Sequence, residues 1–270
     1  MPELPEVETT RRGLLPHVVG RRIRDVVVRE PRLRWPVPGD LARRMNGECV
    51  RDIRRRGKYL LFDVGDGHLL VHLGMSGSLT LVPRDTPPRR HDHVDLALEG
   101  ESTLRLNDPR RFGAVLWVKR PETHALLASL GVEPFDASFG GELLQRLAKG
   151  RRVPVKLFLM NARLVSGIGN IYANEALFAA GVHPSRPSGR LSRERWDRLA
   201  AAIRSTLERA LAAGGSTLRD FVGGDGQPGH FQNDHAVYGR AGEPCPACGT
   251  AIRGTRHAGR ATYYCGSCQR

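Results

Sequence analysis

The chain has 270 residues, 40% of them hydrophobic, which is enough for one large domain or two modest ones with a sizeable core. Its 42 lysines and arginines outnumber its 28 acidic residues and give a formal charge of +14, which favours a polyanion as partner, nucleic acid before an anionic membrane surface. No stretch reaches the roughly 18 apolar residues of a membrane helix, and the first residues lack the basic start and apolar run of a secretory signal, so we expect a soluble, cytoplasmic protein.

The first half of the chain consists mainly of short apolar segments separated by Gly, Asp and Pro, which is typical of β-strands. One of these segments, DVGDGHLL, predicts a hairpin with its turn centred on Asp66–Gly67. Repeated short strands of this kind predict a β-sandwich or a barrel. The segments are RRIRDVVVRE, KYLLFDVGDGHLLVHLG, SLTLV, HVDLALEG, STLRL and GAVLWVKR.

The pattern changes near Leu130, where LGVEPFDASFGG has the composition of a linker, and helical periods follow. In LSRERWDRLAAAIRSTLERALAAGG, Ser192 can cap the start of a long helix, and Gly214 with Gly215 can end it. Its apolar residues recur every three or four positions and predict a buried stripe, formed by Trp196, Leu199, Ile203, Leu207 and Leu211.

A second helical segment, VKLFLMNARLVSGIGNIYANEALFAAG, predicts a helix, a glycine-bearing turn and another helix that begins near Asn170. The free N–H groups and partial positive charge of a helix N-terminus suit a phosphate. An ordinary helical hairpin explains the pattern equally well, and this stretch alone leaves both interpretations open.

The last residues contain four of the five cysteines in the pattern C-x2-C-x16-C-x2-C, formed by Cys245, Cys248, Cys265 and Cys268. This spacing can supply four thiolates to one structural zinc ion, and a disulfide pair is the alternative. The loop between the cysteine pairs carries Arg253, Arg256, His257 and Arg260 and no carboxylate. It can be a solvated tip or a phosphate clamp, and the charge of the chain favours the clamp. Cys49 stands alone and is expected in the core.

Several motifs occur together in one order along the chain, namely PELPEVET, HLGMSG, DPRRFG, GIGNIYANEALF and the four-cysteine segment containing RATYYC. Together they resemble the formamidopyrimidine-DNA glycosylase family from end to end. The resemblance implies an α+β multidomain fold with three parts: an N-terminal β-sandwich (residues 1–132), a helix-two-turns-helix domain (133–238) and a C-terminal zinc finger (239–270).

The resemblance also implies four catalytic residues. Removal of Met1 frees the nitrogen of Pro2, and a terminal amine titrates near pH 8, so at neutral pH it is more often nucleophilic than an ordinary lysine. Glu3 would transfer protons beside the sugar and leaving base, with Glu6 supporting the site. Lys58 matches the lysine associated with phosphate contact and β-elimination. Arg260 matches the finger arginine linked to δ-elimination, which we interpret as electrostatic because guanidinium hardly deprotonates.

Further positions match DNA contacts of the family. Met75, Arg110 and Phe112 would fill the gap that a flipped-out nucleotide leaves in the duplex. Asn170 would grip phosphates beside that nucleotide. His72, His91 and Arg151 match weaker DNA-contacting positions, and Arg152 and Lys156 are expected in the same basic approach.

The resemblance therefore implies a bifunctional DNA glycosylase and AP lyase that removes 8-oxoguanine and formamidopyrimidines from double-stranded DNA. It implies one structural zinc and a cytoplasmic enzyme that associates with the nucleoid, and we expect a monomer because the proposed DNA-binding cleft requires only one chain. The alternatives are an endonuclease VIII-like glycosylase for oxidised pyrimidines and a damaged-DNA-binding protein without catalysis. Residues 217–231 resemble the loop that closes over 8-oxoguanine, although His230 stands where tyrosine is frequent and His235 where an apolar residue is frequent.

Overall fold

A computed structural model of the protein describes residues 2–216 and 229–270. The chain divides into two compact units, one formed by residues 1–128 and 213–232 and the other by residues 129–212 and 233–270. Within the described ranges, no helix is both long and apolar enough to cross a lipid bilayer.

The first unit contains two four-stranded antiparallel sheets, with strand orders β1-β6-β7-β5 and β2-β3-β4-β8. Side chains from both sheets and from the first helix share one buried apolar core, so the sheets pack face to face and confirm the predicted sandwich. The elements are α1 (Leu4–Val18), β1 (Ile23–Val28), α2 (Leu41–Met45), β2 (Val50–Arg56), β3 (Tyr59–Val64), β4 (Gly67–His72), β5 (Ser78–Pro83), β6 (Asp92–Leu98), β7 (Ser102–Asn107), β8 (Ala114–Val118), a 3-10 turn (Pro121–Thr123) and α3 (Ala125–Ala128).

The hairpin between β3 and β4 corrects one prediction. Its two-residue turn is Gly65–Asp66, because Val64 pairs with Gly67 and Gly67 already belongs to β4. Gly65 has φ of 54°, the left-handed conformation that such tight hairpin turns require. Gly67 has a different role, since a Cβ there would lie 2.8 Å from the Trp117 ring.

The second unit is helical, as predicted, and ends in a small β-hairpin that lies within the predicted zinc finger. Its elements are α4 (Gly141–Ala148), α5 (Val155–Leu159), α6 (Asn170–Ala179), a 3-10 turn (Ser188–Arg190), α7 (Arg193–Ala212), β9 (Arg253–His257) and β10 (Arg260–Tyr264), and a further 3-10 turn spans Phe231–Asp234. Ser192 caps α7 as expected, because its Oγ accepts the Arg195 N–H at 3.3 Å. The predicted apolar stripe of α7 is buried, except that Leu211 is half-buried.

Candidate active site and DNA-binding surface

The chain start is folded into the first unit. Pro2 is buried, and Glu3, with 1% of its surface exposed, occupies the N-cap of α1. Glu6 completes a capping box by accepting the Glu3 N–H through Oε2 at 2.7 Å. The proline at the second helical position, Pro5, supports the same helix start because its missing N–H has no partner to lose there. The helix start thus sets the position of the Pro2–Glu3 segment.

The second oxygen of Glu6 holds a segment more than two hundred residues away. Oε1 accepts the Ser216 N–H at 2.8 Å, and Glu6 is 2% exposed. Gly215 has φ of 81°, and a Cβ there would lie 3.0 Å from Glu6 Oε1. One buried carboxylate therefore joins the start of α1 to residues 215–216. The sequence suggested a supporting role for Glu6 but gave no signal for this long-range contact.

Replacing Glu6 with Ala is expected to destabilise the first unit by about 2–4 kcal/mol, because the buried Glu3 and Ser216 N–H groups lose their common acceptor. Urea unfolding measures the loss, and hydrogen exchange at these two amides locates it. Glu142→Ala is the matched control, since the Glu142 side chain is 74% exposed. Equal unfolding free energies for the two variants would contradict this assignment.

Lys58 and His72 lie at the end of the sandwich where β2, β3 and β4 meet. Lys58 is half-buried in the two-residue loop that it forms with Gly57 between β2 and β3, and His72 pairs with Tyr59 across the strands. The Gly74 N–H donates to His72 Nδ1 at 3.0 Å. Burial, together with the charges of Lys58 and Arg34, lowers the pKa of His72 to about 4. His72 is therefore a neutral hydrogen-bond acceptor at pH 7.

Because the pKa of His72 is lower in the folded chain than its ordinary 6.5, the unfolded chain takes up a proton first as the pH falls. We expect the protein to lose on the order of 1–2 kcal/mol of stability from this group between pH 7.5 and 5. His72→Gln should lose correspondingly less over that range. Unfolding free energies at the two pH values check this, with His17→Gln, on the exposed last turn of α1, as control. Parallel losses in wild type and His72→Gln would refute it.

The three residues predicted to enter the duplex lie on two adjoining turns. Met75 is half-buried in the turn after β4, whereas Arg110 and Phe112 are exposed in the turn before β8. The turns touch at Gly74, where a Cβ would lie 2.6 Å from the Phe112 carbonyl carbon. The Arg110 guanidinium lies 4.8 Å from the centre of the Phe112 ring. An apolar surface and a cation are thus presented together.

Asp108 and His91 hold the base of the Arg110–Phe112 turn. Asp108 accepts the Gly113 N–H through Oδ2 at 2.7 Å, and its own N–H donates to the His91 carbonyl at 3.0 Å. His91 has φ of 74° and Arg111 has φ of 55°, conformations that cost energy for residues other than glycine. The position of His91 is therefore tied to the same turn.

In the second unit, Asn170 is the first residue of α6, as predicted, and Gly169 is the N-cap. Arg151 is exposed, with its Nε bonded to the Leu147 carbonyl at 2.8 Å. Lys156 differs from the expectation of a basic approach, because it is fully buried. Its Nζ donates to the Ala261 carbonyl at 2.6 Å and to Thr262 Oγ1 at 2.7 Å, so it supports the finger hairpin instead.

A buried acid and a buried histidine support the chain entering the finger. Glu175, on α6, accepts the N–H groups of Ala236, Val237 and Tyr238 at 2.8–3.0 Å. Burial lowers the pKa of nearby His235, so at neutral pH this side chain is uncharged, consistent with a position where apolar residues are frequent. Glu175 could not be recognised from the sequence as a supporting residue, because a single acid within a helix carries no pattern. Residues 217–228 of the proposed lesion-closing loop lie outside the described residues.

The four finger cysteines come together at one point. Their sulfur atoms all lie within 4.8 Å of one another, with Cys245–Cys268 at 3.9 Å and Cys248–Cys265 at 3.5 Å. Tetrahedral zinc with Zn–S bonds of about 2.3 Å places sulfurs about 3.8 Å apart, so the cluster fits one zinc ion. The hydrogen bond with Cys248 raises the pKa of Cys268 to about 12, so four thiolates at this spacing need a cation. The disulfide alternative is wrong, because all four cysteines are free.

Arg260 is exposed at the tip of the β9–β10 hairpin, opposite His257 in the antiparallel register. It lies in the second unit with Arg151, Asn170 and the zinc cysteines, whereas Pro2, Glu3, Lys58, His72, Met75, His91, Arg110 and Phe112 lie in the first.

Comparison with known proteins matches three family profiles to consecutive parts of the chain: the formamidopyrimidine-DNA glycosylase N-terminal domain to residues 1–115, the H2TH domain of that enzyme to 130–222, and a zinc finger found in FPG and IleRS to 242–270. The chain is 57% identical to the formamidopyrimidine-DNA glycosylase of Methylococcus capsulatus, with both chains covered in full.

Two solved structures of Lactococcus lactis Fpg are similar to this fold over the full length of both chains, at 34% identity. One is a G226P mutant in complex with DNA that contains Fapy-dG, with a TM-score of 0.93. The other is the wild-type protein in complex with DNA that contains an oxidised pyrimidine, with a TM-score of 0.91. Matching profiles across the chain and full-length identity of this level show that the chain belongs to the formamidopyrimidine-DNA glycosylase family.

Proposed function

We propose that this protein removes oxidised purines, 8-oxoguanine and formamidopyrimidines, from duplex DNA and then cleaves the strand. It is a base excision repair glycosylase and AP lyase, with Pro2 as nucleophile. The observation that carries the proposal is the buried Pro2–Glu3 segment, held at the start of α1 by Glu6 in a chain of this family. A protein that binds damaged DNA without cleaving it would not need a buried Pro2–Glu3 segment at the start of its first helix.

The first chemical step uses the lone pair of the Pro2 nitrogen, which is free once Met1 is removed. It forms a bond to the sugar C1′ while the bond from C1′ to the base breaks, and the base leaves with that electron pair and takes up a proton. The nitrogen then loses its proton and its lone pair forms a double bond to C1′, while the C1′–O4′ bond breaks and O4′ takes up a proton, so that the opened sugar is held as an iminium. Because proline is a secondary amine, the adduct cannot lose a proton to become a neutral imine, and its charge acidifies C2′.

Three other residues assist this chemistry. Glu3 transfers protons at the sugar and the leaving base. Its side chain is buried, so its protein surroundings rather than bulk water govern that transfer. Lys58 contacts phosphate and supports β-elimination, in which C2′ loses a proton and the 3′ phosphate leaves. Arg260 stabilises the negative charge of the second leaving phosphate in δ-elimination, because guanidinium stays protonated.

The DNA-binding residues divide by chemistry. Met75 and Phe112 supply apolar surface to the gap that the extruded nucleotide leaves, and Arg110 offers its donors to the unpaired base opposite. The Arg110–Phe112 stacking supports this role, because it holds the guanidinium plane beside the wedge. His72, His91, Arg151 and Asn170 contact the backbone, with Asn170 using the N-terminus of α6.

Borohydride trapping on duplexes that carry 8-oxoguanine or an oxidised pyrimidine tests the proposal. A stable protein–DNA adduct that forms faster on 8-oxoguanine is the expected result. Trapping mainly on the oxidised pyrimidine would favour the endonuclease VIII-like alternative, a lesion class found in one L. lactis complex. Binding without adduct or cleavage would leave the damage-binding alternative.

We further infer that the protein acts as a monomer, works in the cytoplasm and associates with the nucleoid when it repairs DNA. One chain carries every proposed catalytic and DNA-binding residue. The division into a sandwich (1–132), a helical domain (133–238) and a finger (239–270) is part of the same proposal.

A further inference from the structure

A concave surface of about 450 Å³ lies in the second unit, on the loop that joins α6 to the Ser188–Arg190 turn. We call it the arginine cradle. No carboxylate side chain lines it. Its lining residues are His183, Ser185, Arg186, Pro187, Arg190 and Arg270.

The cations of the cradle are not neutralised by acids. In the second unit Arg193, Arg198 and Arg240 form ion pairs, whereas among its described residues no ion pair uses Arg186 or Arg190. In the first unit, by contrast, buried Asp95 pairs with both Arg29 and Arg105. Arg186 and Arg190 are thus cations for which the described residues of the second unit supply no ion pair.

Two histidines show how closely the positive charges converge. Burial, followed by the charges of Arg186 and Arg253, lowers the pKa of His183. Burial also lowers the pKa of His257, with Lys156 and His183 contributing. The main-chain oxygen of Arg270 is already engaged, since it accepts from Arg195 Nη1 at 3.0 Å. Arg186, Arg253 and Lys156 thus lie close enough to these two histidines to contribute to the lowering of their pKa values.

The backbone of the cradle is pinned before any ligand binds. Val155 N–H donates to the Arg186 carbonyl at 2.8 Å, and Ser188 N–H donates to the Val153 carbonyl at 2.9 Å. Pro184 and Pro187 restrict the backbone further. A preorganised loop loses little conformational entropy when it binds a ligand, so less of the favourable electrostatic energy is offset in the binding free energy.

Two residues that we propose contact DNA, Arg151 and Arg260, belong to segments next to the cradle. On one side, Ser185 Oγ lies 3.0 Å from Nε2 of His257, which faces Arg260 in the finger hairpin. On the other side, Gly189 N–H donates to the Arg151 carbonyl at 2.9 Å, and a Cβ on Gly189 would lie 2.7 Å from that oxygen. The cradle thus adjoins the main chain of Arg151 on one side and the finger hairpin that carries Arg260 on the other.

We propose that the arginine cradle binds backbone phosphates of the DNA duplex away from the nucleotide under repair, with Arg186 and Arg190 as the principal cations. This inference rests on the proposed function for the identity of the polyanion. It favours DNA over an acidic peptide because the cradle adjoins Arg151 and Arg260. The site would lengthen the DNA footprint and strengthen scanning of undamaged duplex without touching the chemistry.

The test is the salt dependence of binding to an undamaged duplex, with Arg186→Gln/Arg190→Gln compared with wild type. Glutamine keeps much of the side-chain stem and removes only the charge. Each phosphate contact contributes about 0.9 to the log–log salt slope, so the double variant should show a slope shallower by about 1.8. Between about 50 and 200 mM salt, wild-type affinity should fall roughly tenfold more than that of the variant.

Arg193→Gln/Arg198→Gln is the matched control, because it removes the same charge from arginines that are paired with acids on α7. Equal salt slopes for DNA binding in the two double variants would overturn the proposal that the cradle binds DNA. So would an unchanged DNA slope accompanied by lost binding to polyglutamate, which would assign the surface to acidic peptides. Borohydride trapping of wild type on 8-oxoguanine reports separately on the proposed function, since the slope is measured without a lesion.

Discussion

One extra residue ahead of Pro2 is expected to abolish covalent trapping and to reduce base release and strand cleavage at least about a thousandfold, as loss of a covalent nucleophile commonly does. The added residue converts the Pro2 nitrogen into an amide, whose lone pair is delocalised and can no longer attack C1′. Quantitative borohydride trapping and single-turnover base release on an 8-oxoguanine duplex measure both effects.

Affinity for an uncleavable abasic analogue is the necessary control, because Pro2 is buried and an added residue can disturb its surroundings. A variant that binds the analogue normally and forms no adduct supports Pro2 as nucleophile. Substantial trapping by the extended chain would move the nucleophile to another amine, and Lys58 would be examined first.

Removing half of the zinc site is expected to unfold the finger. Cys265→Ala/Cys268→Ala should lower zinc content from one ion per chain to near zero, because two thiolates cannot complete the tetrahedral set. The finger has a small core, with few buried apolar residues besides its cysteines, so zinc supplies much of its folding free energy. Amide exchange in β9 and β10 should become fast.

The same variant should cleave DNA on the order of a hundredfold more slowly, because Arg260, which we propose stabilises the leaving phosphate, loses the hairpin that fixes its position. Cys49→Ala is the matched control, since Cys49 is half-buried in the first unit and far in sequence from the finger. Retention of one zinc ion and of slow exchange in the double variant would refute the four-cysteine site.

The elements that could be predicted from the sequence were those whose whole pattern lies within one continuous segment. Ser192 and the stripe from Trp196 to Leu207 marked α7, and the cysteine spacing marked the finger. β2 was missed because VRDIRRR is rich in arginine and buries only Val50 and Ile53. Such a strand shows its amphipathic pattern only against the partner strand it pairs with.

The candidate site was predictable where its residues lie in recognisable motifs and unpredictable where distant segments meet. The HLGMSG and DPRRFG motifs identified Met75 and Phe112 as candidate DNA-contacting residues. Only the fold shows that Gly74 packs against the Phe112 backbone. Lys156 was wrongly expected on the surface, because a lysine in a basic chain gives no sign of the burial that Thr262 and the Ala261 carbonyl support.

The contact between Glu6 and Ser216 has a consequence for the order of events during synthesis. The ribosome makes the end of the chain that carries the proposed nucleophile first, yet the Glu6 carboxylate gains its second partner only after residue 216 has emerged. We therefore expect the start of α1 to become fully fixed only at that late stage, which leaves an aminopeptidase most of the synthesis time in which to remove Met1.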